Sequence, residues 1–119
     1  MLFAIPSKGR AGKVKTIEIL KGATIYCPEN EYQDYCACYP DKKVVAVPNE
    51  IKGITKTRNF ILKSSDDKRV VMVDDDVKMQ GWVKMLAEKS KHIKMEESEW
   101  LRVAENLFSV CEDLGWKVW

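Results

Sequence analysis

The feature that most constrains this chain is the stretch RVVMVDDDV at residues 69 to 77, where four apolar residues run directly into three carboxylates. A short, unbroken run of this kind is typical of a strand buried on both faces of a parallel sheet. Asp74, Asp75 and Asp76 follow the C-terminal end of that strand, which is where open α/β sheets bind their ligands. Adjacent carboxylates repel one another, so they need basic groups or a hard divalent cation with phosphate co-ligands. We therefore expect a binding site here, with a solvated acidic turn as the alternative.

Composition narrows the class of protein. A chain of 119 residues with 45% hydrophobic content predicts one globular domain with a substantial core. Its 20 basic and 18 acidic residues give a net charge of +2, which is too balanced for binding nucleic acid by bulk electrostatics. Cys27, Cys36, Cys38 and Cys111 lack zinc-finger spacing, and His92 is distant from them in sequence. With no signal peptide or membrane-length apolar run in the sequence, we expect a cytoplasmic protein without membrane contact.

Strands and helices alternate along the first two thirds of the chain. Apolar runs at residues 2–5, 23–27 and 43–47 precede the strand at 70–73, and segments of helical character separate them. This alternation predicts βαβ units and an α/β, Rossmann-like three-layer αβα fold with a mostly parallel sheet. Beyond the carboxylates, residues 81–90 have weak helical character, and His92 falls in a polar, exposed connector. A final helix is predicted after a Ser98 cap. Its apolar stripe consists of Trp100, Val103, Ala104, Leu107, Phe108, Cys111 and Leu114.

A basic, glycine-containing loop joins the first strand to the first helix. The loop, SKGRAGK at residues 7–13, carries two glycines and three cations. A loop that opens a helix presents backbone N–H groups and the positive end of the helix dipole, and Lys8 and Arg10 add charge that suits a phosphate or a nucleotide. It lacks the spacing of a P-loop or of a dinucleotide fingerprint, so a solvated loop remains the alternative.

Together these elements resemble the nucleotide-binding half of the GT-A glycosyltransferases over residues 3 to 77. The closest likeness is to the large inverting family that shows a G-x-x-x-A-R-N helix and a D-x-D motif, although Thr57 here replaces the common alanine. The IPSKGR opening also resembles a narrower group of phage and bacterial glycosyltransferases with DDD motifs. The features that carry the resemblance are the basic loop after the first strand, Glu29 after the second, Asn49 and Gly53 leading to Thr57-Arg58-Asn59, and the strand that ends in DDD.

The resemblance implies a nucleoside-diphosphate sugar as donor, with a UDP-sugar expected, and Mn²⁺ or Mg²⁺ as cofactor. It assigns the nucleoside contacts to Pro6, Ser7 and Lys8. Arg10 would face the base or the diphosphate, and Arg58 would contact the nucleotide. Glu29 would accept a hydrogen bond from the base. Asp74 and Asp75 would hold the ribose and bound water, and Asp76 would ligate the metal, with Asp74 as the other metal-ligand candidate.

Relatives of this type draw their acceptor site and catalytic base from chain beyond the DDD motif. We therefore expect a donor-binding domain over residues 1–119 that is incomplete at its C-terminus, with its enzymatic activity and catalytic residues unassigned. The alternatives are a non-catalytic nucleotide-binding or assembly module, a nucleotidyltransferase, and a haloacid-dehalogenase-like phosphatase. DDDV fits the phosphatase motif D-x-D-x-[TV], but it follows the fourth predicted strand where that motif follows the first. The terminal WKVW, residues 116–119, predicts an unfinished strand that favours self-association.

Overall fold

The computed structural model describes residues 1–78 and 93–116, and the backbone alone of residues 81–86 and 89–92. The chain divides into two compact units, residues 1–78 and residues 79–119. The described residues contain no helix that is both long and apolar enough to cross a membrane.

The first unit is a parallel sheet with helical connections. Its strands are β1 (Leu2–Pro6), β2 (Thr24–Pro28), β3 (Val44–Val47) and β4 (Val70–Met72). The helices between them are α1 (Thr16–Ile19), α2 (Tyr32–Cys38) and α3 (Ile54–Ser64), and a 3₁₀ turn at Glu29–Glu31 precedes α2. The strands pair in the order β3-β2-β1-β4, and every pair is parallel. The predicted Rossmann-like α/β fold is thus confirmed.

The core of this unit covers both faces of β1. On one face, Ala4 packs with Tyr26 and Val47 of the neighbouring strands and with Ile61 of α3. Phe3 and Ile5, whose side chains alternate to the opposite face, are 7% and 0% exposed. Successive parallel strands of this kind bury apolar side chains on both faces, which is the largest stabilising contribution available to the unit.

The strand that precedes the carboxylates is less buried than its apolar sequence predicts. All three residues of β4 are only partly buried, because β4 pairs with β1 alone in this sheet and therefore forms one of its edges. Val73, just after the strand, is 9% exposed and donates its N–H to the carbonyl of Ala4 at 3.0 Å. The prediction of burial on both faces was therefore wrong for β4, whereas the strand itself and its parallel pairing were predicted correctly.

The second unit begins with a β-hairpin where a weak helix was predicted. Strands β5 (Gly81–Leu86) and β6 (Lys89–Lys94) are antiparallel, and they pair from Leu86 with Lys89 to Gly81 with Lys94. The helical prediction was wrong for residues 81–86 and 89–90, because pairing between the two strands overrides the weak helical character of the local sequence. The connector predicted around His92 was wrong, because the backbone of His92 belongs to β6 and pairs with Val83. The side chain of His92 and residues 117–119 of the WKVW segment lie outside the described residues, so the exposure predicted for His92 and the strand predicted at the C-terminus stay predictions.

Helix α4 (Glu97–Asp113) follows the hairpin. Its N-cap is Glu96, which forms a reciprocal capping box with Glu99, so the predicted Ser98 cap was wrong by two positions. Gly115 follows the end of the helix with φ of 66°, and the N–H of Trp116 donates to the carbonyl of Cys111 at 2.7 Å.

The apolar stripe of α4 is only partly buried. Ala104 is 4% exposed, whereas Leu107 and Leu114 are 62% and 55% exposed, so these two leucines of the predicted stripe are not buried. The buried side of the helix is centred on Ala104. At 100° per residue, Leu107 and Leu114 fall 60° and 80° to one side of that centre.

Candidate functional site

The predicted site residues meet where the strand order reverses. The order β3-β2-β1-β4 places β1 and β4 side by side, although β2 and β3 lie between them in the sequence. Ser7 follows β1, and Asp74, Asp75 and Asp76 follow β4. Because parallel strands end at the same edge of a sheet, the basic loop and the carboxylates lie next to each other at the topological switch point.

A chain of hydrogen bonds joins the basic loop to the middle carboxylate. Ser7 Oγ donates to Asp75 Oδ2 at 2.6 Å, and it lies 2.9 Å from the hydroxyl of Tyr35. Since the serine proton is used on Asp75, the tyrosine must donate to Ser7 Oγ, and the backbone N–H of Arg10 donates to that tyrosine hydroxyl at 3.1 Å. Arg10 Nη1 in turn donates to Asp75 Oδ1 at 3.0 Å. Asp75, whose side chain is 14% exposed, is therefore fixed between the ends of two strands.

The outer two carboxylates are exposed and paired with arginines. Arg58, in α3, places Nη2 3.1 Å from Asp74 Oδ1. Arg10 Nη1 lies 3.4 Å from Asp76 Oδ2. The side chains of Asp74 and Asp76 are 66% and 59% exposed, so each keeps oxygen atoms open to solvent. Two guanidinium groups thus supply the compensating charge that three adjacent carboxylates need.

The basic loop is held by side chains of the second connection. Gly9 and Gly12 have φ of 68° and 76°, a conformation that glycine adopts without the penalty of a Cβ atom. The N–H of Gly9 donates to Glu31 Oε2 at 2.7 Å, and the N–H of Val14 donates to the hydroxyl of Tyr39 at 2.9 Å. The loop therefore has fixed partners along its length, whereas the sequence left a plain solvated loop open as the alternative.

The start of α1 binds the DDD segment of the same chain. The N–H of Lys15 donates to the carbonyl of Asp75 at 2.9 Å, and Thr16 Oγ1 donates to the carbonyl of Asp74 and accepts from the N–H of Val77. The prediction that this helix presents free N–H groups to a phosphate was wrong, because these donors already satisfy backbone carbonyls after β4. They fix the main chain of the DDD segment against the first connection.

A cleft of about 600 Å³ opens beside this network, at the ends of β1, β2 and β3 and the start of α3. Pro6, Ser7 and Lys8 line it, so the three residues predicted to contact the nucleoside share one cavity. Ser7 also donates to Asp75, so the cleft adjoins the carboxylates. Its remaining walls include Tyr26, Val47, Asn49, Ile51 and Lys52.

The acid predicted to accept a hydrogen bond from the base lies between two residues that line the cleft, Pro28 and Asn30. Glu29 is exposed in the 3₁₀ turn and is not among the residues that line the cleft. Its neighbour Asn30 does line the cleft and donates its backbone N–H to Asn49 Oδ1 at 3.3 Å. That contact directs the donor end of the Asn49 amide away from Asn30, since a backbone N–H requires an acceptor.

Three buried ionisable groups lie in or next to the wall of the cleft: Tyr26 and Cys27 line it, and Tyr35 bonds to the lining residue Ser7. Burial is the main cause that raises the pKa of the Cys27 thiol to about 12, with smaller contributions from Cys36 and Glu31. Burial likewise raises the pKa of Tyr26 and of Tyr35. These groups are uncharged at neutral pH, so Cys27 provides apolar surface and a thiol that is a poor nucleophile.

Sequence reasoning missed four residues of this region: Glu31, Tyr35, Asn49 as a cleft residue, and Lys52. Tyr35 was assigned to packing because of its helical spacing, and it is indeed 0% exposed. A buried tyrosine almost always finds a partner for its hydroxyl, and this general rule was the available signal. No local pattern could have identified Glu31, because its partner Gly9 lies 22 positions away.

Comparison with known proteins gives a family. A model of the family described as TET-Associated Glycosyltransferase matches residues 1–116. The chain is 31% identical over 80 residues to the Beta-glucosyl-HMC-alpha-glucosyl-transferase of Enterobacteria phage T2, and 32% identical over 80 residues to the protein of that name from phage T6. Each alignment covers 62% of this chain and 28% of the relative, so the chain spans little more than a quarter of the relatives' length.

No solved structure matches the chain. The family match extends past β4 and through α4, whereas the predicted resemblance reached only residue 77. The predicted resemblance to glycosyltransferases is confirmed, and the chain belongs to the TET-associated glycosyltransferase family.

Proposed function

We propose that this chain is the donor-binding part of a glycosyltransferase of GT-A type and that it binds a nucleoside-diphosphate sugar. The observation that carries the proposal is the double role of Ser7, which lines the 600 Å³ cleft and donates to Asp75. Through Ser7, a cavity large enough for a nucleotide adjoins the carboxylates at the switch point of the sheet. The family match supports the reaction class, and the names of the phage relatives support glucose as the sugar.

The walls of the cleft suit a nucleoside. Tyr26, Val47 and Ile51 supply apolar surface for a planar base, and Asn49 supplies an amide. Gly53 is the N-cap of α3, no side chain caps this helix, and its first turn borders the cleft. The positive end of an eleven-residue helix favours an anionic ligand there. We take UDP as the expected nucleotide because of the resemblance to UDP-sugar enzymes.

The carboxylates have the donor chemistry for Mn²⁺ or Mg²⁺. Among the described residues, no three His, Cys, Asp or Glu side chains are grouped to hold a metal ion by themselves. Hard cations of this kind commonly use one or two carboxylates and complete their coordination with ligand phosphates and water. Asp76, with Asp74 as the second candidate, fits that need because both are more than half exposed. When bound, the cation would neutralise the diphosphate leaving group.

Each predicted site residue then has a distinct part in the proposal. Asp75, held by Ser7 and Arg10, keeps the DDD segment in register with the basic loop. Arg58 orients Asp74 from α3. Direct contact of Asp74 and Asp75 with the ribose and bound water, and of Glu29 with the base, remain predictions of the resemblance.

Calorimetric titration tests the proposal. We expect the purified chain to bind UDP and UDP-glucose, and to bind both more tightly with Mn²⁺ than with EDTA. Free glucose should show no measurable binding. No binding of either nucleotide under both conditions would overturn the proposal. Assay of UDP-glucose hydrolysis and of sugar transfer separates an enzyme from a non-catalytic module, since a binding module would hold the donor without turnover.

A further inference from the structure

Two lysines line the cleft, and no carboxylate side chain is among its lining residues. Lys8 and Lys52 are exposed residues of its walls, and no Asp or Glu lines it. Within the part of the chain that the structure describes, neither lysine forms an ion pair or a hydrogen bond. Lys8 and Lys52 are therefore two cations of the cleft wall that are available to a ligand.

The arginines near the site have other partners. Arg10 pairs with Asp75 and Asp76, and Arg58 pairs with Asp74. Neither arginine is among the residues that line the cleft. An arginine that left its carboxylate for a phosphate would leave negative charges without compensation, and this lowers its net gain from the new contact. A lysine of the cleft gives up no such partner.

The positions of the two lysines suit a ligand that lies between them. Lys8 follows β1 and Lys52 follows β3, and β2 lies between those strands. Two strand spacings separate the ends of β1 and β3 by about 10 Å. Tyr26 of the intervening strand β2 and Val47 at the end of β3 line the cleft as well. A cavity with an apolar floor and cations at its sides fits an anion that carries a flat apolar group, as a nucleotide does.

We propose that Lys8 and Lys52 contact the phosphate groups of the nucleotide, whereas Arg10 and Arg58 remain on the carboxylates and orient them. The assignment rests on the proposed function. One of its two phosphate ligands, Lys52, belongs to no motif of the sequence. It also changes the role expected for the two arginines from direct phosphate contact to positioning.

The test compares Lys52→Met with Lys56→Met. Lys56 is an exposed lysine four positions further on, within α3, and does not line the cleft, so its variant controls for loss of charge and for any change in α3. UDP and uridine are titrated calorimetrically into each protein, with Mn²⁺ and again with EDTA. We expect Lys52→Met to weaken UDP binding about tenfold and to leave uridine binding unchanged. Lys56→Met should match the wild type, and Lys52→Arg should recover most of the affinity.

The outcomes separate this inference from the proposed function. If the wild type binds UDP and Lys52→Met binds it equally well, the phosphate assignment is wrong and the proposed function stands. Equal weakening by Lys56→Met would show an effect of bulk charge and would also overturn the assignment, as would equal weakening of uridine binding. If the wild type binds no nucleotide in either condition, both proposals fail together. Circular dichroism of each variant verifies that the fold is retained.

Discussion

Ser7 Oγ and Asp75 Oδ2 lie 2.6 Å apart, although 68 positions separate these residues in the sequence. This contact joins the ends of β1 and β4, and it is short enough for a charge-assisted hydrogen bond. The hydroxyl of Tyr35 completes the arrangement from α2, because it accepts from the backbone of Arg10 and donates to Ser7. Two separate connections of the sheet therefore hold the same carboxylate, the first through Ser7 and Arg10 and the second through Tyr35.

Replacement of Tyr35 by Phe tests how much this arrangement contributes. The variant keeps the buried ring and removes the hydroxyl, so the N–H of Arg10 loses its acceptor. The bond between the hydroxyls of Tyr35 and Ser7 is buried. Removal of one partner of a buried hydrogen bond costs about 1 to 3 kcal/mol, and we expect a loss of unfolding free energy in that range by urea denaturation. Tyr39→Phe removes the similar bond to Val14 at a less buried position and should cost less. Equal stability of Tyr35→Phe and the wild type would show that the hydrogen-bond chain contributes little.

The three carboxylates should differ in their contribution to stability. Asp75 is 14% exposed and binds Ser7 and Arg10, whereas Asp74 is 66% exposed and pairs with Arg58 alone. We expect Asp75→Asn to lower the unfolding free energy by at least about 1.5 kcal/mol, since hydrogen bonds to charged groups contribute about 1.5 to 3 kcal/mol. Asp74→Asn should cost less than about 1 kcal/mol, as exposed ion pairs do. The reverse order of the two variants in thermal or urea denaturation would contradict this account.

The sequence predicted the sheet well because each buried strand is marked by a short run of apolar residues that can be recognised locally. Each strand of the first unit was expected within one or two residues of its observed bounds, and the carboxylates of residues 74–76 were expected at a ligand-binding edge. The structure differs where a residue's role depends on distant partners, as with Tyr35 and with the amides of Lys15 and Thr16. The antiparallel strands β5 and β6 were missed for a similar reason. These strands are stabilised by pairing with each other, and such pairing leaves only a weak local signal.

Stability should fall at alkaline pH because of buried acids near the cleft. The pKa of Cys27 is raised from 9.0 to about 12 by burial, so between these values the thiol ionises in the unfolded chain and stays protonated in the folded one. A raised pKa of an acid stabilises the fold fully below about pH 9, and that stabilisation is lost as the pH rises toward 12. The raised pKa values of Tyr26 and Tyr35 act in the same direction above pH 10. We therefore expect the urea midpoint to decrease from pH 8.5 to pH 10.5.

Cys27→Ala identifies the part of this effect that belongs to the thiol. The variant should be less stable at neutral pH because it leaves a small cavity, but its stability should depend less steeply on pH above 9. Cys38→Ala removes an exposed thiol and controls for oxidation in the alkaline samples. A Cys27→Ala profile parallel to that of the wild type would mean that other groups govern alkaline unfolding.

Loss of one exposed carboxylate should remove the metal dependence of nucleotide binding. Asp76 is the member of the DDD segment with the weakest protein contact, 3.4 Å to Arg10, and its side chain is 59% exposed. We expect Mn²⁺ to strengthen UDP binding in the wild type and in Asp66→Ala, which removes an exposed acid before β4. In Asp76→Ala the affinity should be the same with Mn²⁺ and with EDTA, because a hard cation depends on carboxylate oxygen for its binding energy. Mg²⁺ should act in the same direction. A Mn²⁺ effect of the same size in Asp76→Ala and Asp66→Ala would remove Asp76 from the metal site and leave Asp74 as the candidate.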